Sequence, residues 1–112
     1  MTAQEERDNQ WLATEIMGWY CHDGPWWRNT GHKIVMAFSS WNPLHNIDQC
    51  FQYLKPKILK VKFAIFIESY NRINNKEYNI VTLENLKDEW IGESESLSEA
   101  FCLACKAAWE GK

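Results

Sequence analysis

No apolar run in this 112-residue chain approaches the ~20 residues that a membrane-spanning helix needs. The longest candidate, "VKFAIFI", has the length of a strand. The opening "MTAQEERDNQ" is polar and mostly acidic, which excludes a signal peptide. A cytoplasmic location follows as the expectation. Positive charge is also scarce: 12 Lys and Arg against 15 Asp and Glu leave a net charge of -3. A broad basic surface for duplex nucleic acid is thereby disfavoured. A local basic pocket is still compatible with that balance, because net charge describes the whole surface and not one cleft. Internal repeats and low-complexity tracts are missing.

Enzyme signatures are missing as well. The chain has no G-x-S-x-G, no Walker loop, no H-E-x-x-H and no paired-histidine phosphodiesterase pattern. His22, His32 and His45 form no evident triad, and Glu84, Asp88 and Glu89 read as a solvated acidic face. No catalytic residue and no cofactor is expected. Cysteine is limited to four residues, which default to reduced thiols in the cytoplasm. Cys102 and Cys105 make one C-x-x-C, with Cys21 and His22 as distant partners. Zinc needs four converging ligands, whereas this C-x-x-C falls inside a predicted helix and has no second copy. Buried free thiols are the expectation, with no metal.

Aromatic side chains are plentiful. They form 14% of the chain, with seven tryptophans, three of them in "WYCHDGPWWRNTGHK". The surrounding pattern is that of one domain, residues 1–112, of ordinary globular composition. Leu12, Ala13, Ile16 and Met17 recur at helical spacing and predict a first helix over 3–17, ended by Gly18. The aromatic stretch then reads as a loop, and "KIVMAF" as a short strand. Ile47, Cys50, Phe51 and Leu54 mark one face of a second helix, with Asn46 as N-cap and Pro56 as its close. "ILKVKFAIFIESY" alternates as a strand, with Val61, Phe63, Ile65 and Ile67 on one face. "NRINNK" is a turn and "EYNIVTLE" the returning strand; "DEWIGES" adds a short last one. Ser96 and Glu99 have capping-box spacing ahead of a third helix, whose stripe is Leu97, Ala100, Phe101, Ala104 and Ala108. This order predicts an α+β fold, with helices packed on a mainly antiparallel β-sheet.

The aromatic stretch carries the binding chemistry. Tyr20, Trp26, Trp27 and nearby Trp41 suit base stacking, and Arg28 and Lys33 suit phosphate, with His32 as an accessory. Trp26 and Trp27 are adjacent, so in an extended segment they point opposite ways. Trp19 directly follows the helix and reads as core. Asn46 and the free amides beside it offer an anion site or an ordinary cap. Two stacks and two charged hydrogen bonds give roughly 5–12 kcal/mol gross. Association itself costs about 4–15 kcal/mol. A preformed pocket, or one doubled by a symmetric homo-oligomer, would bind more tightly, and a two-fold axis suits a two-fold ligand.

The segments "ATEIMGWY", "NPLHNIDQCFQYL" and "SLSEAFCLACKAAW" together resemble a family of small phage and prophage proteins, the phage ABA (alpha-beta-alpha) sandwich domain. Its members show a first helix ending in "VMGW", here Ile16-Met17-Gly18-Trp19. A polar lead then enters the second helix, here His45-Asn46-Ile47-Asp48, and the last helix is alanine-rich. The resemblance implies an alpha-beta-alpha sandwich acting in the cytoplasm of an infected bacterium. It makes the chain a candidate for a sponge that sequesters a cyclic di- or trinucleotide immune signal without cleaving it. The rival expectation is a protein-interaction module that docks a host or phage protein through the aromatic loop.

Overall fold

The computed structural model describes residues 2–21, 24–71 and 76–111. The fold is α+β, with antiparallel sheets of two and three strands. Two compact units make up the chain, Met1–Asn42 and Pro43–Lys112.

In the first unit, α1 spans Ala3–Trp11. Its start is a capping box: the Glu5 amide donates to the Thr2 hydroxyl at 3.1 Å, and the Thr2 amide donates to the Glu5 carboxylate at 3.3 Å. The helix then widens into a π-helical turn, Leu12–Ile16, in which the Met17 amide reaches back to the Leu12 carbonyl at 3.2 Å. Gly18 ends it in the left-handed conformation, at φ 71°, where a Cβ would be strained. The Trp19 amide returns to the Ala13 carbonyl at 3.0 Å. Leu12, Ala13, Ile16 and Met17 are buried, as their spacing predicts, and Trp19, which directly follows the helix, is buried with them.

The aromatic stretch is more ordered than a loop. Trp26–Arg28 form β1, antiparallel to β2, Ile34–Ala37, with Trp26 opposite Ala37 and Trp27 opposite Met36. The side chain of Asn29 closes the connecting turn, accepting from the Gly31 and Lys33 amides at 2.9 and 3.1 Å. The expected strand over 33–38 is therefore one half of a hairpin, and the aromatic residues supply the other half. His22 lies outside the described residues.

In the second unit, Asn46 caps α2, Ile47–Gln49, which runs through a π-helical turn, Cys50–Leu54, into α3, Lys55–Lys60. Two expectations fail here. Pro56 does not close the helix, because it stands at the start of the segment that follows the π-helical turn, where a missing N–H is tolerated. The strand does not begin at Ile58 either. Leu54 and Ile58, four apart, are both buried on the inner face of the helix, and Lys62 turns the chain at φ 66°.

Strand β3 is Ala64–Asn71, β4 Glu77–Glu84 and β5 Glu89–Ser94, joined in the order β3-β4-β5. Most of the "NRINNK" turn, residues 72–75, lies outside the described residues. Helix α4, Leu97–Glu110, packs on β4 and β5. Ser96 caps it by accepting from the Glu99 amide at 3.3 Å. Ala100, Phe101, Ala104 and Ala108 are fully buried, with Val81 and Leu83 of β4. Among the described residues no helix is long and apolar enough to cross a membrane.

Candidate functional site

The first unit holds a half-open cavity of about 300 Å³, walled by Trp27, Phe38 and Trp41 and rimmed by Glu6, Asn9, Gln10 and Ser39. That volume lies at the lower end of small-molecule sites. β1 supplies Trp27, which is 3% exposed and stacks on Phe38 with ring centroids 5.1 Å apart. Phe38 is held in turn by its amide, which donates to the Pro25 carbonyl at 2.7 Å. Trp41 meets Trp19 edge to face at 4.9 Å. Its indole N–H donates to the Asn9 carbonyl at 2.7 Å. The walls are thus preformed, which lowers the ordering cost of binding.

The polar rim comes from α1. Glu6, Asn9 and Gln10 stand at i, i+3 and i+4, one side of a helix. Asn9 is buried, and its side-chain amide donates to the Asn42 side-chain oxygen at 2.9 Å. Against these paired groups one polar atom stands out. Trp27 Nε1 is buried and has no hydrogen-bond acceptor among the described residues. An unmet buried donor costs about 1–3 kcal/mol.

The sequence-predicted residues divide into separate places. Trp27 and Trp41 share the cavity. Trp26 points the other way and is 42% exposed, as adjacency in an extended segment requires. Tyr20, Arg28 and Lys33 gather at the turn of the hairpin. The Tyr20 hydroxyl hydrogen-bonds His32 Nδ1, and Arg28 Nη1 donates to the His32 carbonyl at 3.0 Å. Tyr20 also bridges Arg28 through the backbone. Lys33 is exposed, and neither it nor Arg28 lines the cavity. Asn46 lies in the second unit and caps α2, accepting from the Gln49 amide at 3.3 Å. The cavity's ionisable lining group is Glu6, a carboxylate rather than the expected cation.

Sequence reasoning did not select Phe38, Glu6, Asn9, Gln10 or Ser39. The signal available was the helical spacing of Glu6, Asn9 and Gln10. Phe38 was readable as the end of a strand, but its stacking on Trp27 depends on the hairpin.

The cysteines are elsewhere or buried. Cys50, Cys102 and Cys105 are buried in the second unit as free thiols, with the Cys50 and Cys102 sulfurs hydrogen-bonded at 3.8 Å. Burial pushes the Cys102 and Cys105 thiols well above their usual range, and proximity to Cys50 adds to this. Cys21 is exposed, and its thiol donates to the Gly24 carbonyl at 3.1 Å. Among the described residues no group of three or more His, Cys, Asp or Glu is arranged to hold a metal ion.

No protein-family model matches the chain, and no curated protein does. A solved structure does. A phage protein from Bacillus cereus ATCC 14579 superposes with a TM-score of 0.67 at 14% identity, covering 96% of this chain and 93% of that one. The two share a fold over nearly their whole lengths.

Proposed function

We propose that this is a phage-type binding protein that sequesters a cyclic di- or trinucleotide defence signal and does not cleave it. The observation that carries this reading is the cavity, with three aromatic walls and a polar rim. A flat heterocycle fits such a site better than a flexible chain. A base stacked there gains ~1–3 kcal/mol. Glu6 accepts hydrogen bonds, so it favours a base edge carrying donors, and Asn9 and Gln10 offer mixed partners. The cavity takes one base, while Arg28 and Lys33 on the hairpin turn serve phosphate outside it. The phage origin of the structural neighbour supports the setting.

Docking of a host or phage protein is the second reading. Trp26 and Ile34, both on the hairpin and both exposed, favour it.

One experiment separates these. Purified protein is incubated with a panel of cyclic di- and trinucleotides, thermal shifts are recorded, and the ligand released by heat is identified. The sponge reading expects a large shift with intact ligand recovered. A cleaved ligand makes the protein an enzyme. No shift across the panel removes the nucleotide reading and leaves protein docking.

A further inference from the structure

Strand β3 is the edge of its sheet and is unprotected as an edge. It pairs with β4 on one side, and among the described residues no strand pairs with its other side. Half of its backbone amides and carbonyls therefore face outward along roughly 27 Å, at about 3.4 Å per residue. Sheet edges are ordinarily blunted by proline, by lysine, by a bulge or by shortness. β3 has none of these. Its sequence is "AIFIESYN", and its register with β4 is regular over all eight residues. Its side chains are exposed on both faces: Phe66 is 51%, Ile67 40% and Tyr70 47% accessible. Phe66 also continues into an apolar row, because it lies opposite Thr82, which lies opposite the exposed Ile91.

We infer that β3 is a self-association edge, pairing antiparallel with β3 of a second copy about a two-fold axis to make one six-stranded sheet. The occupant is set by what the edge demands. It must be an extended segment of similar length, apolar on both faces and nearly uncharged. β3 meets that description itself, with Glu68 as its single acidic or basic residue. A two-fold normal to the sheet sets like faces side by side, so a residue on the axis meets its own copy. Centring on Phe66 or Ile67 sets apolar side chains together and keeps the two Glu68 carboxylates apart. Centring on Glu68 would oppose two like charges, which is destabilising. The same charge that permits pairing therefore selects its register. This inference is independent of the nucleotide reading, since the cavity belongs to the other unit.

The test is sedimentation equilibrium of the full chain over a wide concentration range, with Phe66→Lys and Ile67→Lys beside it. Both positions are exposed, so the lysines are tolerated by the folded monomer, which far-UV circular dichroism checks. A wild-type dimer weakened at least tenfold by each lysine is the expected result. A wild-type monomer throughout, or folded variants that dimerise like wild type, overturns the proposal. Hydrogen exchange of the wild-type chain gives a second readout that needs no variant. Protection of the outward amides of 64–71 should rise with protein concentration; a dimer with no such rise also overturns it.

Discussion

A Cβ placed on Gly92 would lie 2.1 Å from the carbonyl oxygen of Ala100 and 2.5 Å from the amide nitrogen of Ala104. Helix α4 therefore rests with its backbone directly on β5, and Ala100 and Ala104 supply the small surface that allows it. Both close atoms are backbone, so neither can swing aside. Gly92→Ala forces the helix off the sheet over the buried Val81 and Phe101. Overpacking typically costs 1–3 kcal/mol, and here about 3 kcal/mol is expected. Thermal unfolding should show Tm lower by on the order of 10 °C. A Tm within experimental error of wild type would mean that α4 is not seated on Gly92.

Asn79 is the polar exception in the same layer. It is fully buried in β4, yet each end of its side chain is used. The Ser69 hydroxyl of β3 donates to its oxygen at 2.6 Å, and its amide donates to the Glu95 carbonyl at 3.1 Å. One side chain thus ties the edge strand to the entry of α4. Asn79→Ala removes two hydrogen bonds from a buried side chain, each worth about 0.5–1.5 kcal/mol, and should cost about 1–3 kcal/mol by urea denaturation. Because the Ser69 link is lost, amide exchange in β3 should accelerate more than in β5.

Asn79 also shows how far the sequence could be read. Asn79, Val81 and Leu83 alternate along the returning strand and so share one face, and that face is buried. That alternation did not show that an asparagine there would be paired across three elements, since its partners lie at 69 and 95. Elements whose signals are local were legible: Gly18 as a helix stop, Asn46 and Ser96 as caps, and the β3–β4 hairpin strands. The errors sit where two periods compete. "PKILKVKF" fits alternation as well as helical spacing, and burial of Ile58 beside Leu54 decided for the helix. Half of the cavity was legible from its aromatics. The other half was not, because a polar stripe on α1 becomes a rim only when the hairpin places Trp27 and Phe38 against it.

The buried thiols make stability fall at alkaline pH. Burial first, and the neighbouring Cys50 second, raise the Cys102 and Cys105 pKa values above those of the unfolded chain. An unfolded thiol ionises near pH 8.5. Below that pH both states hold the proton and the thiols' contribution is fully present. Above it the unfolded chain releases protons that the folded chain keeps, so stability declines as pH rises toward the folded pKa. The slope is at most about 1.4 kcal/mol per pH unit for each thiol. Urea midpoints between pH 7 and 10 should fall less steeply for Cys102→Ala/Cys105→Ala than for wild type; equal slopes would show that other groups carry the alkaline loss. In the same preparations at neutral pH, Cys21 should react at once with a thiol reagent, and the three buried cysteines only at the rate of opening.

Trp27 and Trp41 line one cavity with opposite hydrogen-bond states, and that difference can be measured. Trp41 Nε1 is satisfied by the Asn9 carbonyl at 2.7 Å, whereas Trp27 Nε1 is buried without an acceptor among the described residues. Replacing either by phenylalanine keeps an aromatic wall and removes the N–H. Trp41→Phe breaks a made bond and should lower stability by about 1–3 kcal/mol. Trp27→Phe loses ring area but also removes an unmet donor, so the two effects oppose each other. Its stability should stay within about 1 kcal/mol of wild type. Binding should separate the pair the other way. Trp27→Phe leaves a smaller stacking surface in the cavity wall, and affinity should fall roughly 3- to 10-fold by titration calorimetry. Equal destabilisation by the two substitutions would mean that Trp27 Nε1 has a partner in the free protein. Unchanged affinity in Trp27→Phe would remove Trp27 from the binding wall.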